Sequence, residues 1–340
     1  MTLVQLSIRA GATALRLAFA SLVAMALSTG LQPAAHAAPL TLAIPDLPVF
    51  STALVAEAEG YFAAEGLDLK IIRCVIGKLC LKLLTDGEAH YAGVADTPIV
   101  MASLGGAVGP GFAVIATLAT TSRLNQLIAR ADRGIRVAAD LKGKRIGVFK
   151  GTTSHYFADT LLLLNGIGTS QVTLVLQDPA DVAGPLVRGE VDAAAMHQTH
   201  AHKAKVLLGA NMVTIPTSKL VTMTFNLVSV PAAAGGRDQD AVKLLRAMTR
   251  ANQLMAADPK RAKAIVAARL KLEPALLDAI WGDYDFELSL AQPLIMALEA
   301  QARWALREGL VPGGKMPDYL NFVRPEALRT LDRRAVTLVK

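Results

Sequence analysis

Three adjacent hydroxyl side chains, Thr152, Thr153 and Ser154, form the part of this 340-residue sequence that is best suited to hold a polar ligand. They follow an apolar segment, 146–149, with the length of a buried strand, and they begin an apolar run that continues to residue 164 with the length of a helix. A helix start leaves backbone N–H groups without partners, and the positive end of the helix dipole lies behind them. Such a loop can bind an anionic or polar head group. The alternative is that these side chains only cap the helix.

The surroundings of this loop occur twice in the chain. Segments 42–44 and 146–149 read as strands, and each is followed by a helix that stops at Gly66 or Gly166 and by a second strand. A Gly-Glu pair then precedes a third strand of small residues in both halves. Because strands that alternate with helices form parallel sheets through right-handed crossovers, the sequence predicts two βαβαβ halves.

Ligands of open α/β sheets bind beyond the carboxyl ends of the strands, and this rule selects matching loops in the two halves. The candidate ligand-binding residues on or beside these loops are Asp46, Phe50, Gly77, Asp96, Thr97, Thr121, Ser122, Thr152, Thr153, Ser154, His197 and Gln198. Two strand-like runs, 124–129 and 221–230, are expected to cross from one half to the other and back. We therefore expect one ligand site in a cleft between the halves.

Several of these candidates have a purely structural alternative. Asp96 could bind an amine or cap the helix that follows it. Phe50 could cover the ligand or only pack against the next helix. Thr121 and Ser122 could line the cleft or lie in a solvated turn. His197, at the end of a strand, is a candidate donor to an oxyanion.

The three histidines His197, His200 and His202 suggest a metal site, because imidazole is a common transition-metal ligand. Residues 193–206 contain no carboxylate or cysteine that could complete the site, so we expect no metal and no cofactor. The sequence also lacks a nucleophile elbow, a phosphate loop with lysine and a metal-binding helix motif. We therefore expect a protein without enzyme activity.

The first 37 residues have the features of a secretory signal peptide. Arg9 and Arg16 precede an apolar run, 17–27, that is too short to span a membrane. The triplet Ala35-His36-Ala37 fits a small-x-small cleavage site, so the mature chain is expected to begin at Ala38. We therefore expect a periplasmic protein.

Cys74 and Cys80 are the only cysteines in the sequence. In an oxidising compartment such a pair favours a disulfide, and Gly77 between them would let the chain turn back. Two free thiols are the alternative. The net charge of +7 is modest and scattered, without a block of Lys and Arg, and so does not indicate nucleic-acid binding.

A series of short segments between about residues 40 and 210 occurs in the order and at the spacing of a known family. The segments are Ala56–Phe62, Glu65–Leu67, Leu84–Asp96, Asp140–Lys144, Gly147-Val148, Gly151-Thr152, Gly166, Asp178–Asp181 and Gly189–Ala193. On these segments the sequence resembles the periplasmic substrate-binding proteins of ABC importers for nitrate, sulfonates, taurine and thiamine-type pyrimidine precursors. The resemblance implies a type II periplasmic-binding-protein fold, with two mostly parallel sheets flanked by helices and two crossing strands.

The domain organisation implied by the resemblance has two lobes. Residues 1–37 would be the signal peptide, and 38–130 the first part of lobe 1. Residues 131–221 would form lobe 2, and 222–340 the helical second part of lobe 1.

The sequence departs from familiar members of this family in two predicted ligand loops. Many sulfonate and nitrate binders have a Gly/Ser-rich loop where this chain has Cys74–Cys80. An aromatic residue with a nearby proline is common where this chain has Met196–Thr199. The identity of the solute therefore does not follow from the resemblance.

The function implied by the resemblance is that of the periplasmic solute-binding component of an ABC importer. We expect a monomer that binds a small anionic or zwitterionic solute of the sulfonate, nitrate or taurine class and delivers it to an inner-membrane permease. We expect no nucleic-acid partner. The alternatives are a ligand-binding subunit for a membrane sensor and an exported enzyme.

Overall fold

The computed structural model describes residues 39–105, 111–178, 181–217, 220–230 and 237–339. The predicted signal peptide and the middle of segment 178–181 lie outside these residues. In the part of the chain that is described, no helix is both long and apolar enough to cross a membrane.

The described strands and helices alternate along the first two thirds of the chain, and helices dominate the last third. The strands are β1 (Leu40–Pro45), β2 (Leu69–Cys74), β3 (Tyr91–Ala95), β4 (Ala113–Thr121), β5 (Asn125–Arg130), β6 (Arg145–Val148), β7 (Thr173–Leu176), β8 (Ala193–His197), β9 (Met212–Ile215), β10 (Met223–Ser229), β11 (Leu290–Ala291) and β12 (Val336–Thr337). The α-helices are α1 (Ser51–Ala58), α2 (Tyr61–Ala64), α3 (Gly77–Thr85), α4 (Asp96–Leu104), α5 (Thr153–Leu164), α6 (Gly184–Val187), α7 (Gln198–Leu208), α8 (Arg237–Ala257), α9 (Pro259–Leu270), α10 (Pro274–Ile280), α11 (Gln292–Arg307) and α12 (Glu326–Leu331). Short 3-10 helices cover Pro48–Phe50, Ala131–Arg133, Ala138–Leu141, Thr169–Gln171, Gly209–Asn211, Trp281–Asp283, Tyr319–Phe322 and Arg333–Ala335.

Two five-stranded sheets have the same arrangement of strands. The first has the order β2-β1-β3-β10-β4, and the second has the order β7-β6-β8-β5-β9. In each sheet the first three strands are parallel, and the fourth runs antiparallel to both of its neighbours. The prediction of two mostly parallel sheets flanked by helices, with two crossing strands, is confirmed.

The two crossing strands connect the sheets in opposite directions. β5 follows β4 closely in sequence but pairs only with β8 and β9 of the second sheet. β10 follows β9 and returns to the first sheet, between β3 and β4. The described strands of the first sheet therefore come from 40–121 and 223–229, and those of the second from 125–215. The division into lobes stays a prediction.

The helix stops predicted at Gly66 and Gly166 follow from backbone geometry. Both glycines have positive φ, +73° and +68°, just after α2 and after α5. Only glycine enters this left-handed region without a steric penalty, so each helix ends there and the chain turns into the next strand.

The buried core includes the ring of Phe50, which packs against the middle of β3. Phe50 is fully buried and lies edge-on to Phe225 of β10, with ring centroids 5.8 Å apart. The ring fits because β3 has a glycine at position 93, where an added Cβ would lie only 2.5 Å from Phe50 Cε1 and 2.8 Å from Ile44 Cγ2. Gly93 therefore leaves the space that the ring of Phe50 occupies against β3.

Trp304 connects the C-terminal helices to α5. Its Nε1 donates to Asp159 Oδ2 at 3.0 Å, and its rings lie near those of His155 and Tyr156 on the same helix. Burial raises the pKa of Asp159 to about 6, and the Trp304 hydrogen bond acts in the opposite direction. The helix that begins at the hydroxyl loop is thus held to α11 by a buried polar contact.

Candidate functional site

A cavity lies where the carboxyl ends of the parallel strands of both sheets converge, with an empty volume of about 790 Å³ that includes its open mouth. The first sheet and its loops contribute Pro45, Leu47, Phe50, Val75, Ile76, Gly77, Lys78, Ala95, Pro98 and Phe225. The second sheet and its loops contribute Phe149, Thr152, Thr153, Ser154, Val182, Met196, His197 and His200. A molecule in this cavity would therefore contact loops from both sheets.

The three hydroxyl side chains of the loop after β6 lie together in the cavity wall. The Thr152 hydroxyl donates to the Phe149 carbonyl at 2.7 Å, and its oxygen lies 3.0 Å from Ser154 Oγ. Thr153 Oγ1 lies 3.3 Å from His197 Nε2. Thr152 is the N-cap residue of α5, but its side chain makes no capping hydrogen bond. The start of α5 thus presents a hydroxyl cluster to the cavity rather than a closed cap.

The two histidines of the wall are neutral at neutral pH. Burial lowers the pKa of His197 to about 3, and the neighbouring His200 acts in the same direction. Burial also lowers the pKa of His200 to about 4. His197 can therefore exchange a hydrogen bond with Thr153 or with a ligand, but it contributes no positive charge to the cavity.

Charged groups are scarce in the wall. Lys78 is exposed at its position in the wall, and none of the wall residues is an Asp or Glu. Most of the remaining wall is apolar, including the rings of Phe50, Phe149 and Phe225. The arrangement combines a donor cluster on one side with an apolar surface on the other.

No group of three or more side chains suited to a metal ion occurs among the described residues. His202, the third histidine of the sequence cluster, lies outside the cavity wall, with its Nε2 3.6 Å from Glu273 Oε2.

The structure brings six of the residues expected from the sequence into one wall: Phe50, Gly77, Thr152, Thr153, Ser154 and His197. The side chain of Asp46 instead forms an exposed ion pair with Arg73. Thr121 Oγ1 accepts from the backbone N–H of Arg123 at 3.1 Å, and Ser122 is not part of the wall.

Asp96, Thr97 and Gln198 lie buried beside the cavity rather than in its wall. Asp96 accepts backbone hydrogen bonds from Thr97 at 2.8 Å and from Thr224 at 3.0 Å, and burial raises its pKa to about 6. The Thr97 hydroxyl donates to Gln301 Oε1 at 2.6 Å. Gln198 Nε2 donates to the Tyr284 hydroxyl at 2.7 Å. These polar groups are occupied in holding the strand ends to other elements.

Sequence reasoning missed most of the apolar wall. Four of these apolar residues lie at or next to predicted strand ends, and this position is the feature by which the sequence could have identified them: Leu47, Ile76, Phe149 and Met196. Phe225 had no such signal, because it lies on β10, which enters the first sheet from the far side of the chain.

A disulfide joins Cys74, the last residue of β2, to Cys80 in α3, with the two Cα atoms 5.7 Å apart. The segment between them, 75–79, includes four consecutive residues of the cavity wall. The free-thiol alternative is not what the structure shows.

Acidification is expected to destabilise the protein through its buried histidines. The unfolded state binds a proton at His197 near pH 6.5, whereas the native state binds one only near pH 3, so the free energy of unfolding falls as the pH drops below about 6.5. For His197 the loss amounts to about 2 kcal/mol at pH 5. Burial lowers the pKa of His155 and of His200 to about 4, so both add to this loss. Asp96 and Asp159, whose pKa values are raised to about 6, offset part of the combined loss because they bind protons in the native state.

The variant His197→Asn should therefore lose less stability than the wild type between pH 7 and pH 5. Urea unfolding at both pH values measures the difference. Equal losses in the two proteins would show that His197 is not held neutral by burial.

Comparison with known proteins gives one family match. The family model described as NMT1/THI5 like matches residues 47–262, more than half of the chain. A protein of Bacillus subtilis (strain 168), whose assigned role is the binding of aliphatic sulfonates, is 25% identical over 168 residues. That alignment covers 46% of this chain and 50% of the relative, so the chain spans about half the length of this curated relative.

Solved structures match over nearly their whole length. The periplasmic aliphatic sulphonate binding protein SsuA from Escherichia coli has a TM-score of 0.71 at 16% identity, covering 84% of this chain and 97% of that one. The alkanesulfonate-binding protein SsuA from Xanthomonas axonopodis pv. citri, bound to MOPS, has a TM-score of 0.70 at 21% identity. The match covers 86% of this chain and 100% of that one. These similarities show a shared fold.

Proposed function

Because the chain belongs to the NMT1/THI5-like family, we propose that it is the periplasmic solute-binding component of an ABC importer and that its cavity binds a small organic sulfonate. The names of the similar proteins agree with this class of ligand. The observation that carries the proposal is the cavity wall, which comes from both sheets and combines the hydroxyl cluster at the start of α5 with a largely apolar remainder.

The chemistry of a sulfonate fits both sides of this wall. Its three oxygens share one negative charge and accept hydrogen bonds. The hydroxyls of Thr153 and Ser154 and the start of α5 could donate them, and Thr152 could do so by releasing its bond to the Phe149 carbonyl. Its carbon chain would lie against the apolar wall, where burial contributes about 0.8 kcal/mol for each CH₂ group. Lys78 would add a positive charge from its exposed position in the wall.

The mechanism follows from contacts on both sides of the cavity. A bound sulfonate would contact both sheets and would favour the arrangement in which both sets of contacts are made. The protein would then present this loaded form to an inner-membrane permease as a monomer. A sensor subunit would bind ligand in the same way, and only its membrane partner would differ.

Thermal unfolding with a ligand panel tests the proposal. A ligand that binds only the native state, present at 100 times its Kd, stabilises the protein by about 2.7 kcal/mol. We expect alkanesulfonates to raise the Tm clearly. The proposal is wrong if no sulfonate in the panel raises it, and a rise with only a carboxylate, a pyrimidine or nitrate would assign the cavity to another class of ligand. The bound sulfonate should be recovered unchanged after long incubation, whereas an enzyme would convert it.

The composition of the wall predicts selectivity among anions. The ammonium group of taurine would meet no carboxylate in the wall, because Asp96 lies beside the cavity with both carboxylate oxygens already accepting backbone hydrogen bonds. Nitrate would leave the apolar wall without contacts. We therefore expect affinity to fall from hexane-1-sulfonate to ethanesulfonate and again to taurine.

Ethanesulfonate and taurine have the same chain length and differ in the amine. The difference between their affinities therefore measures the cost of an ammonium group that has no carboxylate partner. Isothermal titration calorimetry should give at least about tenfold weaker binding for taurine, which corresponds to 1.4 kcal/mol. Equal or tighter binding of taurine would contradict the prediction and would indicate a carboxylate partner in the loaded cavity.

A further inference from the structure

We propose that the Cys74–Cys80 disulfide holds the segment between the two cysteines in its ligand-binding conformation, so that affinity for the solute depends on this bond. The inference rests on the proposed function, because it concerns the same cavity. It assigns a positioning role to a covalent link rather than a contact with the ligand.

The position of the disulfide carries the inference. Val75, Ile76, Gly77 and Lys78 all belong to the cavity wall, and the two cysteines enclose this run. Both cysteines are buried. Cys74 ends β2, and Cys80 lies in α3, so the bond ties the first turn of the helix back to the strand that precedes the loop.

The other restraints act on the helical end of this segment, where Gly77 lies against the backbone of β3 and Leu81 and Leu84 are buried; Val75 and Ile76 have weaker ones. β2 is an edge strand with one neighbour, β1. Ile76, the N-cap residue of α3, makes no side-chain capping hydrogen bond. Val75 is 62% exposed and Leu79 is 43% exposed, so packing holds neither side chain firmly. Backbone hydrogen bonds from Leu79 and Cys80 to the Ile76 carbonyl, at 3.0 and 3.3 Å, define only the helical turn itself.

If the bond were broken, the segment would therefore have to become ordered when the ligand binds. Reduction adds two electrons and two protons and converts the disulfide to two thiols; dithiothreitol supplies them and closes to its own cyclic disulfide. The freed segment would sample other conformations, and a ligand would have to order it again. We expect the affinity for hexane-1-sulfonate to fall about tenfold, as expected when one or two side chains must be immobilised on binding.

Calorimetric titration of hexane-1-sulfonate tests the inference on the mature protein. The samples are the oxidised wild type, the wild type reduced with dithiothreitol, the reduced protein after reoxidation, and the double variant Cys74→Ser/Cys80→Ser. Reduction and the double variant should weaken binding by a similar factor, and reoxidation should restore it.

A control separates positioning from general stability. Val266 is buried in α9 and lies outside the cavity wall, so Val266→Ala should lower the Tm without changing the Kd. Amide hydrogen exchange gives a second readout: exchange of residues 75–79 should accelerate on reduction, while that of 152–156 should not.

The possible outcomes are distinct. The positioning role would be overturned if reduction left the affinity unchanged. It would also be overturned if Val266→Ala, with its Tm lowered to that of the reduced protein, lost the same amount of affinity. Unchanged exchange at 75–79 would also overturn it. If the oxidised wild type binds no sulfonate at all, the proposed function fails, and the inference about affinity fails with it.

Discussion

Removing the three hydroxyl groups of the cavity wall is expected to weaken sulfonate binding by roughly 100-fold or more. The variant is Thr152→Val/Thr153→Val/Ser154→Ala, which keeps the size of each threonine side chain. Hydrogen bonds to a charged group are each worth about 1.5–3 kcal/mol, and a shared cluster does not add fully, so a total of about 3–5 kcal/mol is expected. The start of α5 and Lys78 would retain the residual affinity.

The stability of this variant should change little by comparison. The Thr152 hydroxyl donates to the Phe149 carbonyl, and its loss costs about 1 kcal/mol. Thr249→Val is a matched control, because the Thr249 hydroxyl also donates to a backbone carbonyl, at 2.9 Å from Leu245 O, but lies outside the cavity wall. Calorimetry and urea unfolding measure both quantities. An affinity within threefold of the wild type would show that these hydroxyls do not bind the head group.

The largest loss of stability is expected from Gly93→Ala. The added Cβ would lie 2.5 Å from Phe50 Cε1 and 2.8 Å from Ile44 Cγ2, and both partners are fully buried. Overpacking of this kind costs about 1–3 kcal/mol, and we expect the upper end because β3 lies between β1 and β10 in the middle of its sheet. The variant should also bind sulfonate more weakly, since Phe50 must move and Phe50 belongs to the cavity wall.

Gly282→Ala provides the control for this change. Nothing lies within 4 Å of a Cβ added at Gly282, and its φ is not positive. Urea unfolding should show this variant within about 0.5 kcal/mol of the wild type. A similar result for Gly93→Ala would mean that the packing of Phe50 against β3 is looser than described.

The fold followed from the sequence because its determinants are local. The strand–helix periodicity, the stops at Gly66 and Gly166, and the two crossing runs each depend on residues that are neighbours in sequence. Repetition of the pattern then predicted two similar sheets. The hydroxyl loop after β6 was found for the same reason, since it combines a strand end, a Gly-containing turn and a helix start within a few residues.

The site was harder to predict from the sequence, because a polar group at a strand end can either bind a ligand or satisfy another buried group. Asp96 accepts a hydrogen bond from Thr224, 128 positions away, and Gln198 donates to Tyr284, 86 positions away. A carboxylate or amide that satisfies a buried backbone or hydroxyl group has the same residue type as one that binds a ligand. Only the positions of distant partners, such as Thr224 on β10 and Tyr284, distinguish these two uses.

The most direct test of the central claim is a crystal structure of the protein grown with a saturating concentration of hexane-1-sulfonate. The account predicts the sulfonate oxygens within about 3 Å of the hydroxyls of Thr152, Thr153 and Ser154, with the hexyl chain against Leu47 and Ile76, which are partly exposed in the wall. A sulfonate bound elsewhere, or an empty cavity in crystals of protein that calorimetry shows to be saturated, would contradict it.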